Sequence, residues 1–274
     1  MLKRVGLMLV SVLLIVGIYF AWFYTINHLF FTYLYPLSPW FERNTLFIII
    51  LNDIVGFPLM ALALWFLLRK PIFKVARYQR LGAIPAAYAC VIGAAAGIFT
   101  IAFSMLPTFR GPEGSTFIVL LDYINRAEWY VFLAFLLLGN IYKETLFRGL
   151  LLNEFRTVFP VWLAIVLQGI MYGILFFQGD PVLSLYGFLG AVIFALLYVW
   201  FDSIWAPVIA QIACQGVQYV MWNSNLKLPG LTLQITVMAV SILIIGVCMR
   251  YARRHRKASP SIISYTQPKG VQAP

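Results

Sequence analysis

Charged residues are scarce in this chain. They make up 11% of the sequence, against about 25% in soluble domains, and this scarcity excludes an ordinary soluble surface. Hydrophobic residues account for 62% of the sequence, and the mean hydropathy is +0.89. Both values are typical of a chain whose main solvent is lipid. The 274 residues therefore divide better into membrane spans of about 20 residues than into soluble domains.

Histidine and cysteine are also scarce, which limits the chemistry that the chain can perform. The two histidines, His28 and His255, fall outside the predicted spans, in the first outer loop and the basic tail. A catalytic metal needs about three protein ligands, so we expect no metal site, no cofactor and no histidine-based chemistry in the membrane. Cys90, Cys214 and Cys248 show no CxxC spacing and predict no disulfide framework.

Long apolar stretches predict an all-α fold, a polytopic membrane bundle of about eight transmembrane helices. The stretches cover about residues 5–25, 45–68, 81–106, 129–152, 160–177, 182–201, 204–222 and 231–250. The longest outer loop, about 107–128, contains an apolar run that predicts an interfacial helix. We expect residues 1–257 to form a single transmembrane domain and the polar residues 258–274 to form a flexible cytoplasmic tail.

Basic residues are distributed unevenly over the predicted loops. With an even number of spans, the side that holds both termini carries fourteen Lys and Arg residues, and the opposite side carries four. The positive-inside rule then predicts that both termini are cytoplasmic, in the plasma membrane of a bacterial cell. The net charge of +11 becomes a belt that attracts anionic membrane lipids. Its scattered positions do not favour nucleic-acid binding.

Positions 143–149, which read Lys-Glu-Thr-Leu-Phe-Arg-Gly, place three ionised side chains inside an apolar span. A charge near mid-bilayer costs about 2.5–3.5 kcal/mol even on a lenient scale, so it normally has a partner and a purpose. Glu144 and Arg148 are four residues apart, which predicts a pair on one helix face. Lys143 points about 100° away, so we expect either an internal partner or a water-filled cavity for it. Asp53 in the second span is the candidate buried charge partner; no aspartyl-peptidase signature surrounds it.

Three segments together resemble a known family. Glu144-x-x-Phe147-Arg148-Gly149 is similar to the Glu-Glu-x-x-Phe-Arg-Gly motif of the CPBP family, the CAAX-protease and bacteriocin-processing (Abi) membrane proteins related to Rce1-type endopeptidases. Residues 172–176 occupy the place of the family's Phe-x-x-x-His motif. Residues 204–215 resemble its His-x-x-x-Asn motif with the Ala-Pro lead-in. The resemblance covers about residues 129–222 and implies a CPBP/Rce1-like core.

The resemblance fails at the residues that carry the family's chemistry. Lys143 stands where the family has the glutamate thought to activate water, and Phe176 stands at the motif-two histidine. Gln211 and Gln215 stand at the histidine and asparagine of motif three. The motif-equivalent positions are thus Lys143, Glu144, Phe147, Arg148, Tyr172, Phe176, Gln211 and Gln215. Neither lysine nor phenylalanine supplies a suitable base, and glutamine cannot shuttle a proton. No catalytic residue is therefore expected.

These substitutions predict a pseudo-peptidase. The chain would be a catalytically inactive CPBP-family protein that acts as a scaffold or regulator of a membrane or cell-envelope partner protein. One alternative is a divergent but active CAAX-type intramembrane endopeptidase that uses Glu144. Another alternative is small-solute transport through the same buried charges, which the lack of an internal repeat disfavours.

Overall fold

The computed structural model describes residues 2–110, 115–177, 180–224 and 226–257; the tail predicted at 258–274 lies outside these residues. The described residues form helices without a strand. In chain order these are α1 Leu2–Leu37, α2 Pro39–Arg43, α3 Phe47–Leu68, α4 Ile72–Val75, α5 Ala83–Ser104, α6 Ser115–Asn125, α7 Trp129–Phe155, α8 Val161–Phe177, α9 Pro181–Phe201, α10 Trp205–Asn223 and α11 Leu231–Arg254.

Every predicted span coincides with a helix, and the polytopic all-α bundle is confirmed. Six helices, α1, α3, α5, α7, α9 and α11, are long and apolar enough to cross a membrane. Of the other two, α8 has only 17 residues, and α10 is made less apolar by Gln211, Gln215 and Gln218. Membrane crossing by α8 and α10 remains a prediction.

Helix α1 extends well beyond its predicted end near residue 25 and runs to Leu37. The reason is that residues 25–35 contain no glycine or proline, and apolar residues continue through a π-helical turn at Phe30–Leu34. Phe30 is fully buried and fixes this turn against the bundle. The prediction that His28 lies in a loop was therefore wrong, because His28 is part of α1.

Helix α5 packs closely against α10 through two glycines. Gly93 and Gly97 have the small-xxx-small spacing that lets transmembrane helices approach each other. A Cβ atom on Gly93 would lie 2.0 Å from the carbonyl oxygen of Ala210, and one on Gly97 would lie 2.4 Å from that of Cys214. This contact fixes the position of α10, which carries the third motif.

The junction between α9 and α10 lies at Asp202 and Ser203, where the sequence predicts a boundary. Asp202 adopts a left-handed conformation with φ of 50° and ends α9. Its carboxylate forms a buried ion pair with Arg77. The backbone N–H of Ile204 donates to the Arg77 carbonyl at 3.1 Å. The loop before α5 thereby holds the start of α10.

Helix α6 falls inside the loop for which an interfacial helix is predicted, but it faces the protein. Phe117 and Leu121 are buried, and the Phe117 ring contacts those of Phe103, Phe109 and Tyr186. Phe117 and Leu121 therefore pack on the bundle, where these aromatic rings offer them a protein partner, and an interfacial position of α6 remains a prediction. Helix α6 covers a cavity that contains Lys143.

Candidate functional site

The motif helix α7 is not a regular α-helix. Two π-helical turns, Phe135–Gly139 and Thr145–Leu151, flank the α-helical residues Asn140–Glu144. Such turns are frequent at functional sites. The hydroxyls of Thr145 and Tyr78 are hydrogen bonded at 2.6 Å, and burial raises the pKa of Tyr78 to about 12. This phenol therefore stays protonated near neutral pH and ties the second π-turn to the loop before α5.

Glu144 and Arg148 form the predicted pair. Nη1 of Arg148 lies 3.2 Å from Oε1 of Glu144, and the two side chains are 1% and 0% exposed. The guanidinium also lies 5.1 Å from the ring centroid of Tyr172 and 5.7 Å from that of Phe194. Both aromatic faces attract the cation. Arg148 is thus held by one carboxylate and two rings in a site closed to solvent.

Lys143, the neighbour of Glu144, faces a different environment. Its half-buried side chain lines a cavity of about 180 Å³ together with Asp53, Gln211, Gln215 and Gln218. We call this cavity the polar chamber. Within the described part of the chain, Lys143 forms no hydrogen bond and no ion pair.

The predicted partner, Asp53, lies in the same chamber without forming a contact ion pair with Lys143. Its Oδ1 accepts a hydrogen bond from Asn52 Nδ2 at 2.9 Å. Asp53 and Lys143 attract each other only across the chamber. The expected pair is therefore a longer-range interaction, and the direct hydrogen bond to the Asp53 carboxylate comes from Asn52 instead of Lys143.

The two motif-three glutamines both face the polar chamber. Asn140 Nδ2 donates to Gln215 Oε1 at 2.7 Å. Gln211 is 9% exposed and makes no hydrogen bond within the described ranges. Gln218, which the sequence reasoning missed, donates to the Tyr186 hydroxyl at 3.5 Å and lines the same chamber. Its spacing of seven residues from Gln211 is the signal that would have revealed it.

Phe176, at the motif-two histidine position, is part of an aromatic wall. Its ring stacks on Tyr172 with centroids 5.1 Å apart and contacts Phe147 at 5.3 Å. The ring centroid of Tyr19 in α1 lies 6.3 Å from that of Phe176 and 5.9 Å from that of Tyr142. Neither Tyr19 nor Tyr142 was singled out by sequence, because a tyrosine among many apolar residues gives no local signal.

A second cavity, of about 490 Å³, adjoins the polar chamber. We call it the apolar chamber, because residues of α5, α9 and α11 supply mostly aliphatic and aromatic walls. Among the described residues that line it, Arg148 alone is charged. The two chambers share four lining residues: Tyr172, Phe177, Tyr186 and Gln211.

The remaining acid of the first motif is separated from both chambers. Glu144 lines neither of them, and its carboxylate is engaged by Arg148. The glutamine amides can donate and accept hydrogen bonds, but the chamber walls present no general base opposite them apart from Asp53. In the described ranges no group of three or more His, Cys, Asp or Glu residues could hold a metal ion.

Replacing Lys143 with methionine should leave the free energy of unfolding unchanged or raise it. A lysine at the centre of a span costs about 2.5–3.5 kcal/mol, and no contact offsets that cost here. Thermal unfolding of the purified protein in detergent measures the effect, with Lys227→Met, in an exposed position, as the control. A large fall in the unfolding temperature of Lys143→Met alone would show that Lys143 holds the bundle together.

The comparison with known proteins agrees with the motifs. Residues 125–217 match the family model of the type II CAAX prenyl endopeptidase Rce1-like proteins, close to the range of 129–222 over which the resemblance was identified. No curated protein and no solved structure matches the chain. The matched range contains all three motifs and, with them, Lys143, Glu144, Phe176, Gln211 and Gln215. The chain is therefore a multi-pass helical membrane protein in which residues 125–217 are similar to the CAAX protease-like Rce1 proteins.

Proposed function

We propose that this protein is a catalytically inactive CPBP-family member, a scaffold or regulator that binds a membrane or cell-envelope partner protein. The observation that carries the proposal is the separation of Glu144 from the polar chamber. The other family positions around that chamber are Lys143, Phe176, Gln211 and Gln215, and none of these is a suitable base for water activation. A fold that keeps its motif framework without a base is suited to binding.

The location that we propose is the plasma membrane of a bacterium, with both termini in the cytoplasm. The support is the uneven distribution of basic residues described above. Helix α11 is peripheral, and only 11% of its apolar window is buried inside the bundle. Membrane lipids and the partner protein would cover the remainder of its surface.

The alternative, an active endopeptidase that uses Glu144, requires the carboxylate to leave Arg148. That movement would leave the guanidinium buried without its counter-ion, which costs more free energy than an ordinary rotamer change. The geometry of the Glu144–Arg148 pair therefore favours a structural role for the acid.

Glu144→Gln separates the two functions, because the amide still accepts a hydrogen bond from Arg148 but cannot act as a base. We expect cells that carry this variant to process their membrane proteins as wild-type cells do, and a tagged chain to recover the same stoichiometric membrane partner in mild detergent. The measurement is quantitative mass spectrometry of membrane-protein termini and of the purified complex. Asp122→Asn, in an exposed pair, is the matched control.

Two outcomes would contradict the proposal. Accumulation of an uncut membrane protein only in the Glu144→Gln strain, at equal protein level, would identify an active peptidase. A wild-type chain that purifies without a partner and as a monomer in every mild detergent would contradict the scaffold role.

A further inference from the structure

The polar and apolar chambers adjoin each other. Gln211, Tyr172, Tyr186 and Phe177 line both of them, so a ligand that reaches from one chamber into the other passes these side chains. The hydroxyls of Tyr186 and Thr100 are hydrogen bonded at 2.9 Å, which fixes the position of the Tyr186 side chain between the two chambers. A space that is apolar at one end and polar at the other matches an amphiphile.

The apolar chamber suits an alkyl chain. Its volume of about 490 Å³ lies within the range of about 300–1,000 Å³ for ligand pockets. Two of its lining residues, Leu189 and Ile242, are 55% and 58% exposed on the outer surface of the bundle. The chamber therefore reaches the surface between α9 and α11, where a chain can enter sideways from the lipid.

The polar chamber offers a cation without a contact partner and one amide without a hydrogen bond among the described residues. The Lys143 ammonium has no hydrogen bond or ion pair to a described residue, and Gln211 likewise has no hydrogen-bond partner although it is 9% exposed. The charge of Arg148, at the floor of the other chamber, is already matched by Glu144 at 3.2 Å. A negative head group would therefore go to Lys143 and not to Arg148.

The head group must also tolerate Asp53 in the same small chamber. A phosphate monoester carries about −1.5 to −2 charges and would face Asp53 with a single ammonium to neutralise it. A carboxylate carries a single negative charge and therefore meets less repulsion from Asp53 than a phosphate does, and its oxygens can accept a hydrogen bond from the amide of Gln211.

We propose that the two chambers bind one long-chain fatty acid, with its alkyl chain in the apolar chamber and its carboxylate against Lys143 and Gln211. This inference does not rest on the proposed scaffold role, since it requires neither a partner protein nor a lack of peptidase activity. It assigns a use to the lysine that replaces the family's glutamate.

Binding of radiolabelled palmitate to the full-length protein in nanodiscs tests the proposal, with hexadecanol and lysophosphatidate as competitors. We expect saturable binding of one palmitate per chain. Lys143→Met should weaken palmitate binding by about tenfold or more, the effect of losing a charged hydrogen bond, and should leave hexadecanol binding unchanged. Competition by lysophosphatidate should be weaker than competition by unlabelled palmitate.

Gly190→Leu tests the apolar chamber independently. Gly190 lines that chamber, and a Cβ atom there meets nothing within 4 Å, so the new side chain occupies ligand space without a clash. Gly17→Leu, in an equally open position that lines neither chamber, is the control. Gly190→Leu should weaken palmitate and hexadecanol binding alike, whereas Gly17→Leu should change neither.

The proposal fails if palmitate binding is not saturable, or if it is equal in the wild type, Lys143→Met and Gly190→Leu. It also fails if lysophosphatidate displaces palmitate more effectively than palmitate itself, which would assign the site to a phosphate head group. Monodisperse gel filtration of each variant ensures that a loss of binding reports on the site. If Lys143→Met is not monodisperse, Gly190→Leu and the competitors still decide the outcome.

Discussion

Replacing Glu144 with alanine should destabilise the protein by about 3–5 kcal/mol, the usual cost of removing one partner of a buried ion pair. The substitution leaves the Arg148 guanidinium, which is 1% exposed, without its only carboxylate. The two aromatic rings beside it offset a part of this cost, since a desolvated cation–π contact contributes about 2 kcal/mol or more. Thermal unfolding in detergent measures the shift; a dye that reacts with the buried Cys214 thiol follows it once the more exposed Cys90 and Cys248 are replaced by alanine.

The double variant Glu144→Met/Arg148→Met distinguishes loss of a pair from loss of packing. It removes both charges, so most of the stability should return. Asp122→Ala provides the surface comparison, because Asp122 and Arg126 have the same spacing at 3.9 Å but are 50% and 47% exposed. That variant should lose no more than about 1 kcal/mol. If Glu144→Ala and Asp122→Ala behave alike, the pair does not stabilise the fold.

The Gly93→Val variant should give little or no folded protein. The new Cβ would lie 2.0 Å from the carbonyl oxygen of Ala210, and the obstacle is backbone, which cannot rotate away. Overpacking a core costs about 1–3 kcal/mol when side chains can adjust, so a forced separation of α5 and α10 should exceed that range. The yield of monodisperse protein in gel filtration measures the result.

Gly246→Val is the matched control for Gly93→Val. Gly246 lies in α11, and a Cβ atom there has nothing within 4 Å, so the yield should stay at the wild-type level. Equal yields and equal unfolding temperatures for the two variants would show that α5 and α10 do not depend on their close approach.

Local sequence patterns were sufficient to predict the positions of the helices and the paired charges of α7. Apolar stretches long enough to span a bilayer become helices because lipid offers the backbone no other hydrogen-bond partner. Glu144 and Arg148 meet because their spacing places them on one face of their own helix. The inward packing of α6 was missed, since it depends on aromatic contacts of Phe117 with Phe103 and Tyr186, which belong to other helices.

The sequence by itself determined that this is a helical membrane protein with a segment similar to the CPBP family, in which Lys143, Phe176, Gln211 and Gln215 replace the residues that carry that family's chemistry. Only the tertiary structure decided where those residues face. It turns Glu144 towards Arg148 and Lys143 towards a chamber shared with Asp53 and Gln211. It also places an apolar chamber beside that one, between helices distant in the sequence. The physical reason is that cavities are formed by several packed helices, and the spacing along one helix carries no information about what the others leave open.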